Sequence, residues 1–204
     1  MKYIAHRGIS KKYEDNTIPA IREALDREYY GIEIDVQLCK SGELVLYHDV
    51  YTSKGFVDEL TFDELKDLGI CSLREMYATL PAIRDVVVIV DIKGNDPRVA
   101  FALQDFYLDE DTNDVYFSSF NRNLVRLLPN FNIGTTLETT FVPHEFDMVT
   151  EGVRCVVLHW TSLDHDFISF CKERGIHVFT YTHKEPLEHE YMLRYDVDAI
   201  ITNG

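Results

Sequence analysis

Glu33 and Asp35 stand two residues apart in GIEIDVQL, an otherwise apolar run, and Asp91-Ile92-Lys93 repeats that spacing at the end of another. Extended backbone sends residues i and i+2 to one face, so each pair presents two ionisable groups side by side. His6-Arg7 and His48-Asp49 add two imidazoles at the ends of two further β-rich runs, KYIAH and ELVLYH. Three acids gathered at one strand end repel each other unless a cation neutralises them, and a hard divalent ion with oxygen ligands is the simplest one. The donors include no paired cysteines and no His-x-His, so one Mg²⁺ or Ca²⁺ is expected at Glu33, Asp35 and Asp91, rather than zinc. An ion there polarises a phosphoryl oxygen, and Arg7 and Lys93 add positive charge for the phosphate. His6 and His48 lie on separate segments and titrate near neutral pH, which suits a general base and a general acid. The same residues also admit a structural reading, with Glu33 and Asp35 binding neighbouring cations and Lys93 pairing with Asp91.

Bringing these groups together is the task of an alternating chain. Strands are expected over 2–6, 31–38, 43–48, 86–92, 115–119, 132–137, 155–160, 177–182 and 198–202. Several are continuous apolar runs, as parallel strands covered on both faces require. Helices are expected near 16–29, 61–68, 72–84, 97–109, 121–128, 143–150, 164–174 and 186–194. Asn16 and Asp164 are candidate N-caps, and Gly175 ends the helix that Asp164 begins. Ser41-Gly42 marks a β-hairpin, so the strand ending at His48 should run antiparallel to the one before it. Without that strand, eight β-then-α units remain, which predicts a compact (β/α)8 TIM barrel; an open doubly wound sheet is the alternative. Barrels carry their sites at the C-terminal ends of the strands, where His6, Glu33, Asp35, His48, Asp91 and Lys93 fall. Trp160, Tyr181, Phe120 and His159 are candidates for the pocket rim there. His183 and His189 read as solvated helix-flank residues.

The chain has 204 residues, 46% of them hydrophobic, which suits one core and one domain over 1–204. Its net charge of −15 argues against nucleic acid and against an anionic membrane surface as partners, leaving a small phosphodiester as the expected one. No apolar run is long enough to span a bilayer and no signal core follows the N-terminus, so no stable membrane insertion and a cytoplasmic location are expected. Cys39, Cys71, Cys155 and Cys171 show no metal-like spacing and read as reduced core residues.

The ordered set His6-Arg7-Gly8, Asp15-Asn16-Thr17, Glu33-x-Asp35, Ser41-Gly42-Glu43-Leu44-Val45, His48-Asp49, Val90-Asp91-Ile92-Lys93, Ser118-Ser119-Phe120, Tyr181-Thr182 and Asp198-Ala199-Ile200-Ile201-Thr202 resembles the glycerophosphodiester phosphodiesterase family over almost the whole chain. The resemblance implies His6 and His48 as acid and base, Glu33, Asp35 and Asp91 as metal ligands, and Arg7 and Lys93 at the phosphate. It implies cleavage of a glycerophosphodiester to glycerol 3-phosphate and an alcohol. There are departures. Asp15 stands where the family usually has Glu, Asp91 where it has Glu, Tyr181 where it has Trp, and Asn203 where it has Asp. The insertion after His48-Asp49 is shortened, with 41 residues from Val50 to Val90. An Asp at 91 is similar to sphingomyelinase D–type enzymes, so lysophospholipase D or sphingomyelinase D–like action on lipids is the alternative activity. A non-catalytic barrel that binds a phosphorylated ligand is the other alternative. Tyr51, Phe56 and Val57 are the apolar residues expected at the mouth.

Overall fold

The computed structural model describes all 204 residues. Eight parallel strands close into a barrel: β1 (Tyr3–His6), β2 (Gly31–Leu38), β6 (Val87–Ile92), β7 (Val115–Ser118), β8 (Asn132–Leu137), β9 (Cys155–His159), β10 (His177–His183) and β11 (Ala199–Thr202). The pairing of β1 with both β11 and β2 closes the ring. Helices α1 (Ile18–Asp26), α2 (Phe62–Lys66), α3 (Leu73–Thr79), α4 (Arg98–Phe106), α5 (Arg122–Val125), α6 (Phe146–Thr150), α7 (His165–Glu173) and α8 (Pro186–Met192) lie between the strands in the sequence. The barrel thus agrees with the expected (β/α)8 architecture.

Two apolar layers follow from the alternation of side chains along each strand. Inward residues such as Ile4, Ile89, Tyr116, Val157, Phe179 and Ile201 fill a small barrel interior. Outward residues such as Ile32, Ile34, Val88 and Val90 pack on α1, α3 and α4 in the largest core, of 27 buried residues. The inward face turns polar near the C-terminal ends of five of these strands, at His6, Glu33, Asp35, Asp91, Ser118 and Thr136.

β2 is longer than its neighbour β1, and β3 (Leu44–Leu46) supplies the missing partner. β1 pairs with Gly31 to Glu33, and β3 pairs antiparallel with Val36 to Leu38. The Ser41-Gly42 turn, with Gly42 at φ 94°, makes this hairpin as expected. Its return carries His48 to the barrel mouth. The next segment forms a short hairpin, β4 (Tyr51–Thr52) with β5 (Gly55–Phe56), over a satellite core of Val45, Val57, Leu60, Leu65 and Ile70. Val57 is therefore buried, and the mouth's exposed apolar residues in this segment are Val50, Tyr51 and Phe56. The expected 72–84 helix breaks at Leu80, because Pro81 disfavours helical backbone at the residue before it.

The four cysteines are unpaired thiols, three of them buried. No helix is long and apolar enough to cross a membrane.

Candidate active site

Strand register brings the chemistry together. His6 lies beside Glu33 across β1 and β2, Asp35 beside Asp91 across β2 and β6, and Asp91 beside Ser118 across β6 and β7. One oxygen from each of Glu33, Asp35 and Asp91 lies within 4.8 Å of the others, and all three residues are buried. Together with His6, Arg7, His48 and Lys93 they surround a central chamber: all but the fully buried Asp35 line its cavity of about 190 Å³. Every residue expected at the acids, the imidazoles and the phosphate contacts is thus in one place.

The turn after β1 is shaped for this purpose. Arg7 and Gly8 both take left-handed backbone, φ 59° and 84°. A Cβ on Gly8 would sit 2.4 Å from the Ala20 carbonyl carbon, so glycine alone lets the turn rest against α1. Arg7 holds an unfavourable conformation for a residue with a side chain, at a cost of order 1–3 kcal/mol. Its backbone N–H donates to the Glu33 carbonyl at 2.9 Å and its Nη1 to Asp15 at 3.0 Å. Arg7 Nε lies 2.8 Å from Asp35 Oδ2, an ion contact in which the N–H is not aimed along the line.

Asn16 is not the helix cap that its type suggested; Thr17 accepts from the Ala20 N–H and caps α1. Asn16 is buried at φ 59°, where its Nδ2 donates to Asp35 Oδ2 at 2.8 Å and its Oδ1 accepts the Asp35 N–H at 3.0 Å. It clamps the central acid from both ends.

Charge balance decides the protonation of the acids. Lys93 Nζ bonds Asp91 Oδ2 and lies 3.1 Å from Asp35 Oδ1. Burial opposes the Lys93 charge, yet Asp91 and Asp35 hold its pKa well above the ordinary value. Burial likewise opposes the Asp35 charge, but Lys93 and Arg7 keep that carboxyl below its usual range. Asp91 is pushed up to about 6 by burial, with Lys93 opposing and Asp35 adding to the rise. Burial, then Asp35 and Asp91, raise Glu33 well above the carboxylate range. Three carboxyls thus face two cations, and the excess negative charge is relieved by a proton. A compact, buried all-oxygen donor set and uncompensated negative charge fit a hard divalent cation.

The two histidines differ. His6 Nδ1 bonds Asn203 Oδ1 at 2.7 Å. With the amide oxygen as acceptor, Nδ1 carries the proton and Nε2, 3.9 Å from Glu33 Oε2, is a lone pair. Burial, then Arg7, push the His6 pKa down to about 4, so the ring is neutral at pH 7. His48 is more exposed, and its Nδ1 lies 2.7 Å from Asp49 Oδ1. Its backbone is fixed by Gln37, whose Nε2 donates to the carbonyls of Tyr47 and Asp49, each at 2.7 Å.

Gln37 and Asn203 are supporting residues that sequence reasoning did not assign. The alternation Glu33, Asp35, Gln37 is a signal for the first. Asn203 enters the sequence reading only as a departure.

Tyr181 lines the chamber and Trp160 a second cavity of about 640 Å³, which shares His6, Arg7 and Tyr181 with it. Phe120, Tyr181, His159 and Trp160 form an arc of neighbouring rings along this side, with successive centroids 6.2, 5.4 and 6.3 Å apart. His183 is not solvated: it is fully buried at the end of β10, with Nε2 against Thr180 Oγ1. Its carbonyl accepts from Asn203 N–H and Thr202 Oγ1, which anchors the segment that orients His6. His189 is half-buried, its Nε2 3.3 Å from Thr202 Oγ1.

Comparison with known proteins gives a consistent result. The sequence profile of the glycerophosphoryl diester phosphodiesterase family matches residues 6–96 and 93–204. A glycerophosphodiester phosphodiesterase of Caldanaerobacter subterraneus subsp. tengcongensis is 30% identical, over 98% of this chain and 93% of its own. One from Bacillus altitudinis is 27% identical, over 99% and 94%. Among solved structures, a glycerophosphodiester phosphodiesterase from Parabacteroides distasonis superposes with a TM-score of 0.82 at 25% identity, covering 99% of this chain and 92% of its own. An Oleispira antarctica phosphodiesterase, solved with the product sn-glycerol-3-phosphate, has the same fold at TM-score 0.86 and 20% identity, covering 100% and 93%.

Proposed function

Because the chain belongs to the glycerophosphoryl diester phosphodiesterase family and is a phosphodiesterase, we propose that it hydrolyses a small glycerophosphodiester to glycerol 3-phosphate and an alcohol. The observation that carries the reading is the single chamber lined by two histidines on separate segments, two acids and two cations, with Asp35 buried between the cations.

In this reading Glu33, Asp35 and Asp91 hold one divalent ion, Mg²⁺ or Ca²⁺. Bound there, the ion supplies Lewis-acid polarisation of a phosphoryl oxygen. Arg7 and Lys93 contact the phosphate through charge-assisted N–H bonds. His6 takes the proton of the attacking oxygen at its Nε2. The Asn203 bond fixes the tautomer, and burial keeps the ring neutral and ready to accept. His48 donates a proton to the departing alcohol oxygen, and Asp49 Oδ1, 2.7 Å from its Nδ1, orients the ring. Tyr181 and Trp160 form the substrate-facing wall on the His6 side.

The alternative of a silent binding barrel fits less well, since a binder has no need of two proton-transfer groups. The test is product analysis with glycerophosphocholine. Free choline and glycerol 3-phosphate are expected, and phosphocholine in their place would contradict the assignment of the broken bond.

A further inference from the structure

The chamber opens on two sides, and only the His6 side is absorbed by the proposed reaction. A third cavity, of about 460 Å³, shares Lys93 with the chamber and is walled by the β4–β5 hairpin and the turn after β6. Gln37 lies between this cavity and His48, lining the first while holding the backbone on both sides of the second. In-line displacement puts the attacking and leaving oxygens on opposite sides of phosphorus. The Nε2 lone pair of His6, set by its bond to Asn203, marks the attacking side. The alcohol therefore departs on the His48 side, whether the attacker is water or a hydroxyl of the glycerol itself.

The lining of this cavity states what kind of alcohol it suits. Val50 and Phe56 line it and are 44% and 53% exposed. Arg98 is neutralised by Asp96 through Nε and Nη2, and Lys93 is engaged by Asp91 and Asp35. Asp58 lines the same cavity, is exposed and enters no ion pair. The cavity thus presents an aromatic side chain together with a solvent-exposed carboxylate that is not tied up in an ion pair and only feels the field of Arg98, the two features that recognise an ammonium group.

We propose that this cavity holds the leaving alcohol and favours one bearing an ammonium group, a small amino alcohol, with Phe56 and Asp58 as the residues that set the preference. This rests on the phosphodiesterase activity proposed for the chamber. It applies equally when the glycerol carries an acyl chain, since that arm lies on the opposite side.

The test compares kcat/KM for glycerophosphocholine and glycerophosphoinositol in the wild type, Asp58→Asn and Phe56→Ala. The choline-to-inositol ratio is expected to fall about three- to fivefold in each variant, the upper scale of one screened contact. Turnover of glycerophosphoinositol should stay within about twofold, which controls for folding. An unchanged ratio in both variants overturns the proposal. Saturation-transfer NMR with free choline and with myo-inositol reads the same cavity without turnover. A choline signal that weakens in Asp58→Asn, with none for inositol, is expected; equal choline signals in wild type and variant overturn the subsite. A wild type inactive on every glycerophosphodiester overturns the activity, and the choline signal then decides the subsite separately.

Discussion

Glu33→Gln separates the metal's contribution from the fold's. Without metal, Glu33 is held protonated by burial and by Asp35 and Asp91. Its folded-state pKa lies above the unfolded value, so the folded state binds more protons. Stability is then fully present below about pH 4.5 and falls as pH rises through the folded pKa. Asp91, raised to about 6, acts in the same direction between its ordinary 3.8 and 6. Glutamine mimics the neutral carboxyl and does not titrate, so metal-free Glu33→Gln should be as stable as the wild type at pH 4 and more stable at pH 7. A divalent ion reverses the order. At a free concentration of a hundred times its Kd it stabilises the wild type by about 2.7 kcal/mol. A chain of this size gains roughly 2–4 °C in Tm per kcal/mol, so a rise of about 5–11 °C is expected. Glu33→Gln should show little of it. Calorimetry in two buffers of different ionisation enthalpy should also report a proton released as metal binds at pH 7. If Glu33→Gln is strongly destabilising without metal, or leaves the full metal-induced rise in place, the protonation argument is refuted.

His6→Ala and His48→Ala should each lower turnover by roughly 10²–10⁴, and the double variant should be little worse than the poorer single one. A nearly normal rate removes that residue from the mechanism. Lys93→Met leaves two buried acids without their shared partner, so the metal-free protein should lose about 3–5 kcal/mol in denaturant unfolding. At saturating metal its turnover should still be down about tenfold, and full rescue by metal alone would take Lys93 off the phosphate. Far from the site, burial opposes the Asp198 charge, but hydrogen bonds from Lys172 and the Val178 N–H, with His177 Nδ1 at 3.6 Å, hold its pKa well below the ordinary value. Asp198→Asn should cost about 1–3 kcal/mol at pH 7. The difference should start to shrink as pH falls below about 4, where the carboxyl of the unfolded chain takes up a proton while the folded one stays charged, and go on shrinking until the folded carboxyl is protonated too; a pH-independent difference would contradict the ion pairing.

Much of this was legible where one physical rule acts alone. The period-two alternation of GIEIDVQL sets β2 at Gly31–Leu38 as expected, and the Ser41-Gly42 turn returns β3 against it. Residues whose type serves two purposes were misread. Asn16 has the chemistry of a helix cap and of a buried amide clamp, and only tertiary contact with Asp35 separates the two. His183 reads from sequence as a solvated residue flanking the 186–194 helix. Yet β10 runs one residue beyond the expected strand and carries it into the wall under Trp160. Val57 was expected at the mouth, but the shortened insertion builds its own small core and takes that side chain inward. The pairing of Lys93 with Asp91, the structural reading of that spacing, is present together with the cluster of acids. The Gln37 support for His48 needs the return of the hairpin, which spacing alone does not show.

The most direct test of the central claim follows the phosphorus. Metal-loaded protein and glycerophosphoethanolamine, observed by ³¹P NMR, should convert the diester resonance to that of glycerol 3-phosphate, and EDTA should stop the conversion until Mg²⁺ or Ca²⁺ is restored. Conversion that continues unchanged in chelator, or phosphoethanolamine as the product, would contradict the account.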